Sequence, residues 1–395
     1  MSRVPEASVF LVVDEAKRKA REKGIRLIDL SIGSSDLLPP AEPLRTLREA
    51  LSDPSTYGYC LKSCTLPFLE EACRWYQGRY GVRLDPRREA LALIGSQEGL
   101  AHLLLALTEP QDLLLLPEVA YPSYFGAAQV ASLKTHLIPL RGDGLADLSR
   151  VPEYVWKEAK ILLLNYPNNP TGALADWGYF EEALALAERH GLWLIHDNPY
   201  VDQVYEGEAP SPLALPGAKE RVVELFSLSK SYNLAGFRLG FALGNEEAIA
   251  RLERVKGVID FNQYAGILRM GIAALRTPRE VTRGFAQVYQ KRALGMAEAL
   301  KGALDLLSPK ATMYLWGKLP QGMDDLEFTV TTPRTKVRGF SGLLPKAPSR
   351  PRKTLTPYRQ ASAMLLALPR VFVWSFTHRT TRWNPLLQVS RSTGN

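Results

Sequence analysis

Acidic residues run out before the chain does. Beyond Glu327 there is not one Asp or Glu, although the last 68 residues carry twelve Lys and Arg. The first 327 residues hold 37 basic and 41 acidic side chains, a net charge of −4, so the formal +8 of the whole chain resides in the tail. A basic excess confined to one segment gives no reason to expect nucleic acid as a partner of the body. Cysteine is equally scarce. Cys60, Cys64 and Cys73 are too few and too bunched for a disulfide framework, and they lack the second ligand pair of a zinc site, so a reducing cytoplasm is expected. No eighteen uncharged apolar residues run together, and MSRVPEASVFLVVDEAKRKA has neither a basic region ahead of its apolar stretch nor a small-residue cleavage pattern. Membrane spanning and secretion are therefore not expected. A G-x-G-x-x-G turn between strand and helix is missing too, which removes the main support for a nicotinamide-binding protein.

What is present is a large apolar inventory, 46% of 395 residues, enough to bury a core without staples. A helical spacing over 8–23 leads into IDLSIG (28–33). Strand-like runs then recur as ALALI (90–94), DLLLL (112–116), THLIPL (135–140), ILLLN (161–165), LWLIHD (192–197), VVELF (222–226) and RLGFAL (238–243). Amphipathic stretches at 97–108, 121–131 and 176–190 separate several of them. Unalternated Leu/Ile/Val runs mark strands covered on both faces, so an α/β core with a mostly parallel sheet flanked by helices is predicted. Three successive helices at 245–258, 261–275 and 278–305 then signal departure into a smaller domain. In open parallel sheets ligands gather at the carboxyl ends of strands, which is where the chemical residues fall.

LIGSQEGL (93–100) reads as strand, small-residue turn and helix start, where backbone N–H groups at Ser96, Gln97 and Glu98 suit a phosphate; an ordinary helix cap has the same appearance. NYPNNPTG (165–172) is a rigid turn in which Asn168 and Asn169 either present amides to a ligand or bond their own backbone. HDNPY (196–200) puts Asp197 at a buried strand end, where a carboxylate needs a cationic partner or takes up a proton, and Tyr200 three residues on. SLSKSYNLAGFRLG (227–240) is the sharpest segment. Lys230 follows a buried strand, just after Ser227 and Ser229, with Arg238 eight residues beyond; Schiff-base chemistry with a carbonyl is one use for such a lysine, a snorkelling surface amine the plainer alternative. Together, a lysine for an imine, an acid for a pyridine nitrogen, a tyrosine and an amide for a phenolic oxygen, and a helix start with Ser and Arg for a phosphate match the requirements of pyridoxal 5'-phosphate.

Through NNPTG, DNPY and SLSKSYNLAGFRLG, residues 25 to about 328 resemble the class I/II pyridoxal-phosphate-dependent aminotransferases of fold type I. The resemblance implies Lys230 as the imine-forming lysine and Asp197 as the partner of the pyridine nitrogen, with Tyr200 and Asn169 at the phenolic oxygen. It implies phosphate contacts from Ser96, Gln97, Ser227 and Arg238, and ring stacking by Tyr121 of PEVAYPSY. Gly33 matches a loop over the substrate carboxylate. TYGYCLKSC (56–64) matches a segment whose tyrosine, here Tyr59, reaches the neighbouring subunit's cofactor phosphate, which implies a homodimer with shared sites. Cys64 departs from the glycine of most relatives. The implied division is 1–45 as the N-terminal part of a small α/β domain, 46–285 as the large cofactor domain, and 286–328 as the start of the C-terminal part.

The likeness ends there. The helix, glycine-rich loop and arginine-bearing strand that the family pattern leads one to expect next do not appear, and 329–395 reads as an anomalous basic tail, a shifted-frame translation or an unrelated replacement. The implied activity is amino transfer between an amino acid and a 2-oxo acid, a transaminase of amino-acid biosynthesis. The substrates implied are LL-diaminopimelate or N-succinyldiaminopimelate, hence lysine biosynthesis, or aspartate. A carbon–sulfur β-lyase on the same fold and an inert cofactor-binding protein are the alternatives.

Overall fold

In the computed structural model, residues 9–24, 33–301, 304–318 and 371–375 are described. The IDLSI stretch of the expected first strand and most of the basic tail lie outside them. Chain order begins with helices α1 (Val9–Glu22), α2 (Ala41–Ala50) and α3 (Lys62–Tyr80). Strands and helices then alternate: β1 (Ala90–Leu93), α4 (Ser96–Leu107), β2 (Leu113–Pro117), α5 (Pro122–Val130), β3 (Lys134–Ile138), α6 (Glu153–Glu158), β4 (Ala159–Leu164), α7 (Trp177–His190), β5 (Trp193–Asp197), β6 (Val222–Ser227), α8 (Leu228–Ser231) and β7 (Gly240–Gly244). Helices α9 (Glu246–Ile259), α10 (Ala265–Leu275) and α11 (Arg279–Leu300) follow, then β8 (Asp305–Leu306), β9 (Tyr314–Lys318) and β10 (Val371–Ser375).

All seven apolar runs join one sheet, in the order β1-β7-β6-β5-β4-β2-β3. Strands β6, β5, β4, β2 and β3 pair in parallel, while β7 runs antiparallel between β6 and β1. Their lack of hydrophobic alternation has a direct cause. Leu162 and Leu164 of β4 pack with residues of α3, α7 and α10, while Ile161 and Leu163 pack with residues of α4, α5 and α9, so both faces of the sheet are dry. Phe226 and Phe241 stack across the β6–β7 pair at 5.1 Å, with Trp75 of α3 set edge-on to both.

Strand direction gathers the chemistry. β4, β5 and β6 leave the sheet at one edge, so Asn165, Asp197 and Ser227 end there. Because β7 runs the other way, the chain enters it from that same edge, and Arg238, two residues ahead of β7, joins them. Arg238 is thus not the first residue of a strand, as the RLGFAL run predicts; it sits in the left-handed region (φ 52°) just before one.

Two further expectations change. Cys60, just ahead of the Leu61 cap of α3, and Cys64 in its first turn form a disulfide, with Cα atoms 5.2 Å apart; the scarcity that excludes a framework does not exclude a local link. Cys64 sits in this helix rather than at a left-handed position, so a side chain is accommodated where the family pattern has glycine. Helix α11 runs unbroken through residue 286, the position at which the resemblance implies the division between domains. Within the basic tail, the VFVWS run forms β10, antiparallel to β9. Among the described residues no helix is long and apolar enough to cross a membrane.

Candidate active site

Lys230 lies on α8, a single turn capped by Ser227, whose side-chain oxygen accepts the Ser229 N–H at 3.2 Å. The Lys230 ammonium donates to the Gly33 carbonyl, tying this turn to the N-terminal segment. Burial, aided by the nearby Arg238 cation, lowers its pKa to about 8.

Asp197 closes β5 and is 4% exposed. Burial drives its pKa up to about 6, against the pull of the Tyr124 hydroxyl, which donates to Oδ2 at 2.6 Å. Oδ1 is buried and makes no hydrogen bond of good geometry among the described residues, although the nearby Ser96 side chain also pulls the carboxyl towards its charged form. The carbonyl of Asp197 accepts Asn165 Nδ2 at 2.7 Å, which ties the ends of β4 and β5 together.

The NNPTG turn divides its two amides. Asn168 is spent on the turn itself, accepting from Thr171 N at 3.0 Å and donating to Asn165 O at 3.1 Å. Asn169 instead aims its Nδ2 at Tyr200 Oη, 3.1 Å away. Tyr200 Oη lies 2.7 Å from Tyr314 Oη, and burial raises both phenols well above their ordinary pKa. Sequence reasoning missed Tyr314. It stands in the ATMYLWGKL run, and only the position of β9 in space brings it to Tyr200.

The start of α4 faces the end of β6 and the start of β7. Gly95 holds φ 88°, and a Cβ on it would lie 2.5 Å from Arg238 Nη2. A Cβ on Gly240 would meet Phe226 O at 2.5 Å and Ser96 N at 3.1 Å, so glycine permits β7 to approach α4 this closely. Ser96 is buried as the first residue of α4, whereas Gln97 is exposed and accepts the Tyr121 hydroxyl at 3.1 Å. Gly33 sits under Tyr314, where a Cβ would come within 2.3 Å of the phenol oxygen. Ser96, Gln97, Tyr121, Asn169, Asp197, Tyr200, Ser227, Lys230, Arg238 and Gly33 are thus linked by direct contacts or lie at the same sheet edge. Tyr59 stands apart, 92% exposed, with Phe261 the one ring beside it, at 6.3 Å, among the described residues.

These groups fit pyridoxal phosphate. The orphaned Oδ1 of a buried acid suits a protonated pyridine nitrogen, the Asn169–Tyr200 pair offers donors to a phenolic oxygen, and a lysine with a low pKa suits an aldehyde. A helix N-terminus with an arginine against its first glycine suits a phosphate.

Comparison with known proteins agrees. The family model for aminotransferase class I and II matches residues 25–331. An LL-diaminopimelate aminotransferase from Syntrophobacter fumaroxidans is 40% identical over 325 residues, covering 81% of this chain and 84% of that protein. A glutamate-pyruvate aminotransferase from Escherichia coli is 38% identical over 328 residues, covering 81% and 79%. Among solved structures, a probable N-succinyldiaminopimelate aminotransferase from Thermus thermophilus superposes with a TM-score of 0.81 at 84% identity, covering 82% of this chain and 89% of that one.

Proposed function

From the premise that the chain belongs to the class I and II aminotransferases, and is a pyridoxal-phosphate-dependent transaminase of fold type I, we propose the following roles and substrate. The bound cofactor supplies an electron-withdrawing ring that makes the α-proton of an amino acid acidic. Asp197 Oδ1 accepts from the ring nitrogen and keeps it protonated. Asn169 and Tyr200 orient the phenolic oxygen, and Tyr121 covers the ring face. Ser96, Gln97, Ser227 and Arg238 hold the phosphate. Lys230 Nζ would hold the cofactor through its aldehyde carbon and is the group placed to move the α-proton, for which a pKa about 8 gives it a far larger neutral fraction near neutral pH than an ordinary lysine has. Gly33 lies beside the substrate carboxylate.

Active units are homodimers in which Tyr59 completes the partner's phosphate site. What supports this is exposed apolar surface close to it in sequence or beyond the Phe261 ring that it faces: Leu61, Val258 and Ile259 are 56%, 85% and 55% exposed. The enzyme works in the cytoplasm. Its amino donor is a diaminopimelate-type amino acid, N-succinyl-LL-diaminopimelate foremost, and 2-oxoglutarate is the acceptor. The single observation carrying this choice is the 84% identity to the Thermus thermophilus protein of that description.

The test is a donor screen with purified, cofactor-loaded protein, following glutamate formed from 2-oxoglutarate. N-succinyl-LL-diaminopimelate should outpace LL-diaminopimelate and aspartate; a preference for aspartate overturns the assignment, and pyruvate with ammonia from cystathionine would mark a β-lyase instead. A second reading has its own observation. The family match stops at residue 331, in the segment where acidic residues vanish, so 329–395 stands in place of the arginine-bearing strand that the family pattern calls for. If that replacement removes carboxylate recognition, the protein binds cofactor but turns over no donor in the screen.

A further inference from the structure

Behind the first turn of α4 lies a charged cluster that amino transfer does not use. Lys256 of α9 is 2% exposed, and its ammonium lies 2.8 Å from Asp260 Oδ1 and 3.1 Å from Glu98 Oε1. Glu98 Oε1 also lies 2.7 Å from His102 Nδ1. The other oxygen, Oε2, accepts the Ile94 N–H at 2.9 Å, one residue before the left-handed Gly95. Gln263, just past the cluster, donates to Leu93 O at 3.1 Å. Glu98, His102 and Asp260 offer ligand atoms within 4.8 Å of one another, a spacing that suits a metal ion, but the Lys256 ammonium already bridges the two carboxylates.

This placement is electrostatically demanding. The N-terminus of α4 attracts anions through its free N–H groups and dipole, yet Glu98 sets a carboxylate in that same turn. Uncompensated, it would repel a phosphate, and burial would push it to take a proton and loosen its hold on the Ile94 N–H. Burial does oppose its ionisation, but His102 and Lys256 more than offset this and hold its carboxyl below the usual range. Lys256 therefore lets Glu98 stay charged enough to fix the backbone while offsetting part of its field at the turn.

We propose that Lys256 is a positioning residue for the phosphate-binding turn Gly95–Gln97, acting through Glu98 to set affinity for the phosphate of the cofactor rather than for its ring. The inference rests on the reading of Ser96, Gln97 and Arg238 as phosphate donors. It makes α9 part of the cofactor site although Lys256 touches no cofactor.

The test compares dissociation constants of cofactor-free protein for pyridoxal 5'-phosphate and for pyridoxal, which lacks the phosphate. Lys256→Met should weaken pyridoxal phosphate by about tenfold or more while leaving pyridoxal nearly unchanged. Adding Glu98→Gln to Lys256→Met should restore part of the loss, since the unpaired charge goes with it. Equal weakening of both ligands, or none, overturns the proposal, because a merely structural role does not distinguish them. Should Lys256→Met fail to fold, Lys256→Gln carries the same comparison. Arg238→Ala separates the two layers. If it too spares the preference for the phosphate ester, the underlying phosphate assignment fails; if it removes that preference and the Lys256 variants do not, only the present inference fails.

Discussion

The hydroxyls of Tyr200 and Tyr314 lie 2.7 Å apart although 114 residues separate them in the chain. Tyr200 follows the end of β5, and Tyr314 opens β9, so this contact joins the large sheet to the small C-terminal one. Asn169 Nδ2, 3.4 Å from Tyr314 Oη, makes a third member. Tyr314 thereby holds the Tyr200 hydroxyl in position, with either phenol able to donate. Tyr314→Phe should keep the fold and cost about 0.5–1.5 kcal/mol of transition-state stabilisation, a drop of about two- to tenfold in kcat/KM. Steady-state kinetics on that variant would show it, and unchanged kinetics would remove Tyr314 from the site.

Gly33 tests the same corner from the other side. A methyl group there would lie 2.3 Å from the Tyr314 oxygen, so Gly33→Ala must displace either the tyrosine or the segment whose carbonyl accepts from Lys230. Overpacking of this kind costs about 1–3 kcal/mol. The expected result is a lower thermal midpoint together with a lower kcat. Combining Gly33→Ala with Tyr314→Phe, which deletes the clashing oxygen, should recover part of the stability.

Lys230 sets a pH dependence. Its pKa is lowered to about 8 by burial and then by Arg238. Below that pH the amine is protonated and cannot attack an aldehyde; above it the neutral form is complete. Uptake of pyridoxal by cofactor-free protein, followed by absorbance, should accelerate as pH rises and level off above about 8, whereas an unperturbed lysine inflects near 10.4. Arg238→Ala should move the inflection upward. An inflection near 10 in the unmodified protein would contradict the geometry.

Asp197 places function against stability. Its pKa rises from 3.8 to about 6 on folding, so between those values the folded chain holds more protons than the unfolded one. Stability consequently falls as pH rises through that window, and the cost is complete above it. Two pKa units correspond to about 3 kcal/mol. Asp197→Asn keeps the shape and removes the buried charge, so the cofactor-free variant should melt higher than the parent at pH 8, with the gap closing towards pH 4, and should lose transamination. A lower melting point at pH 8 would mean that the hydrogen bond from Tyr124 outweighs the burial cost of the carboxylate.

The shared sites proposed above would allow complementation. Lys230→Ala and Tyr59→Ala should each be inactive alone. In a mixed dimer the subunit that keeps Lys230 receives Tyr59 from its neighbour, which restores one of two sites. Random reassortment of the two variants should therefore return about a quarter of full activity. No recovery in demonstrably mixed dimers would place Tyr59 outside the site.

Much of this was readable along the chain. The dry runs ILLLN, LWLIHD and VVELF predict buried parallel strands, and the residues following them, Asn169, Asp197 and Lys230, are the ones the sheet edge collects. That works because a strand's end is a local property. The local pairing of Cys60 with Cys64 was missed because composition speaks to a framework, not to one helical turn.

Residue order alone therefore determined the seven strands of the large sheet, many of the helices and the types of side chain at each strand end, since burial on two faces and turn chemistry act over a few neighbours. Only the tertiary structure decided that β7 inserts antiparallel and sets Arg238 against Gly95, that β9 brings Tyr314 to Tyr200, and that α9 slides Lys256 behind Glu98. Those contacts join residues more than a hundred positions apart, and strand order and helix packing, which no local pattern encodes, choose their partners.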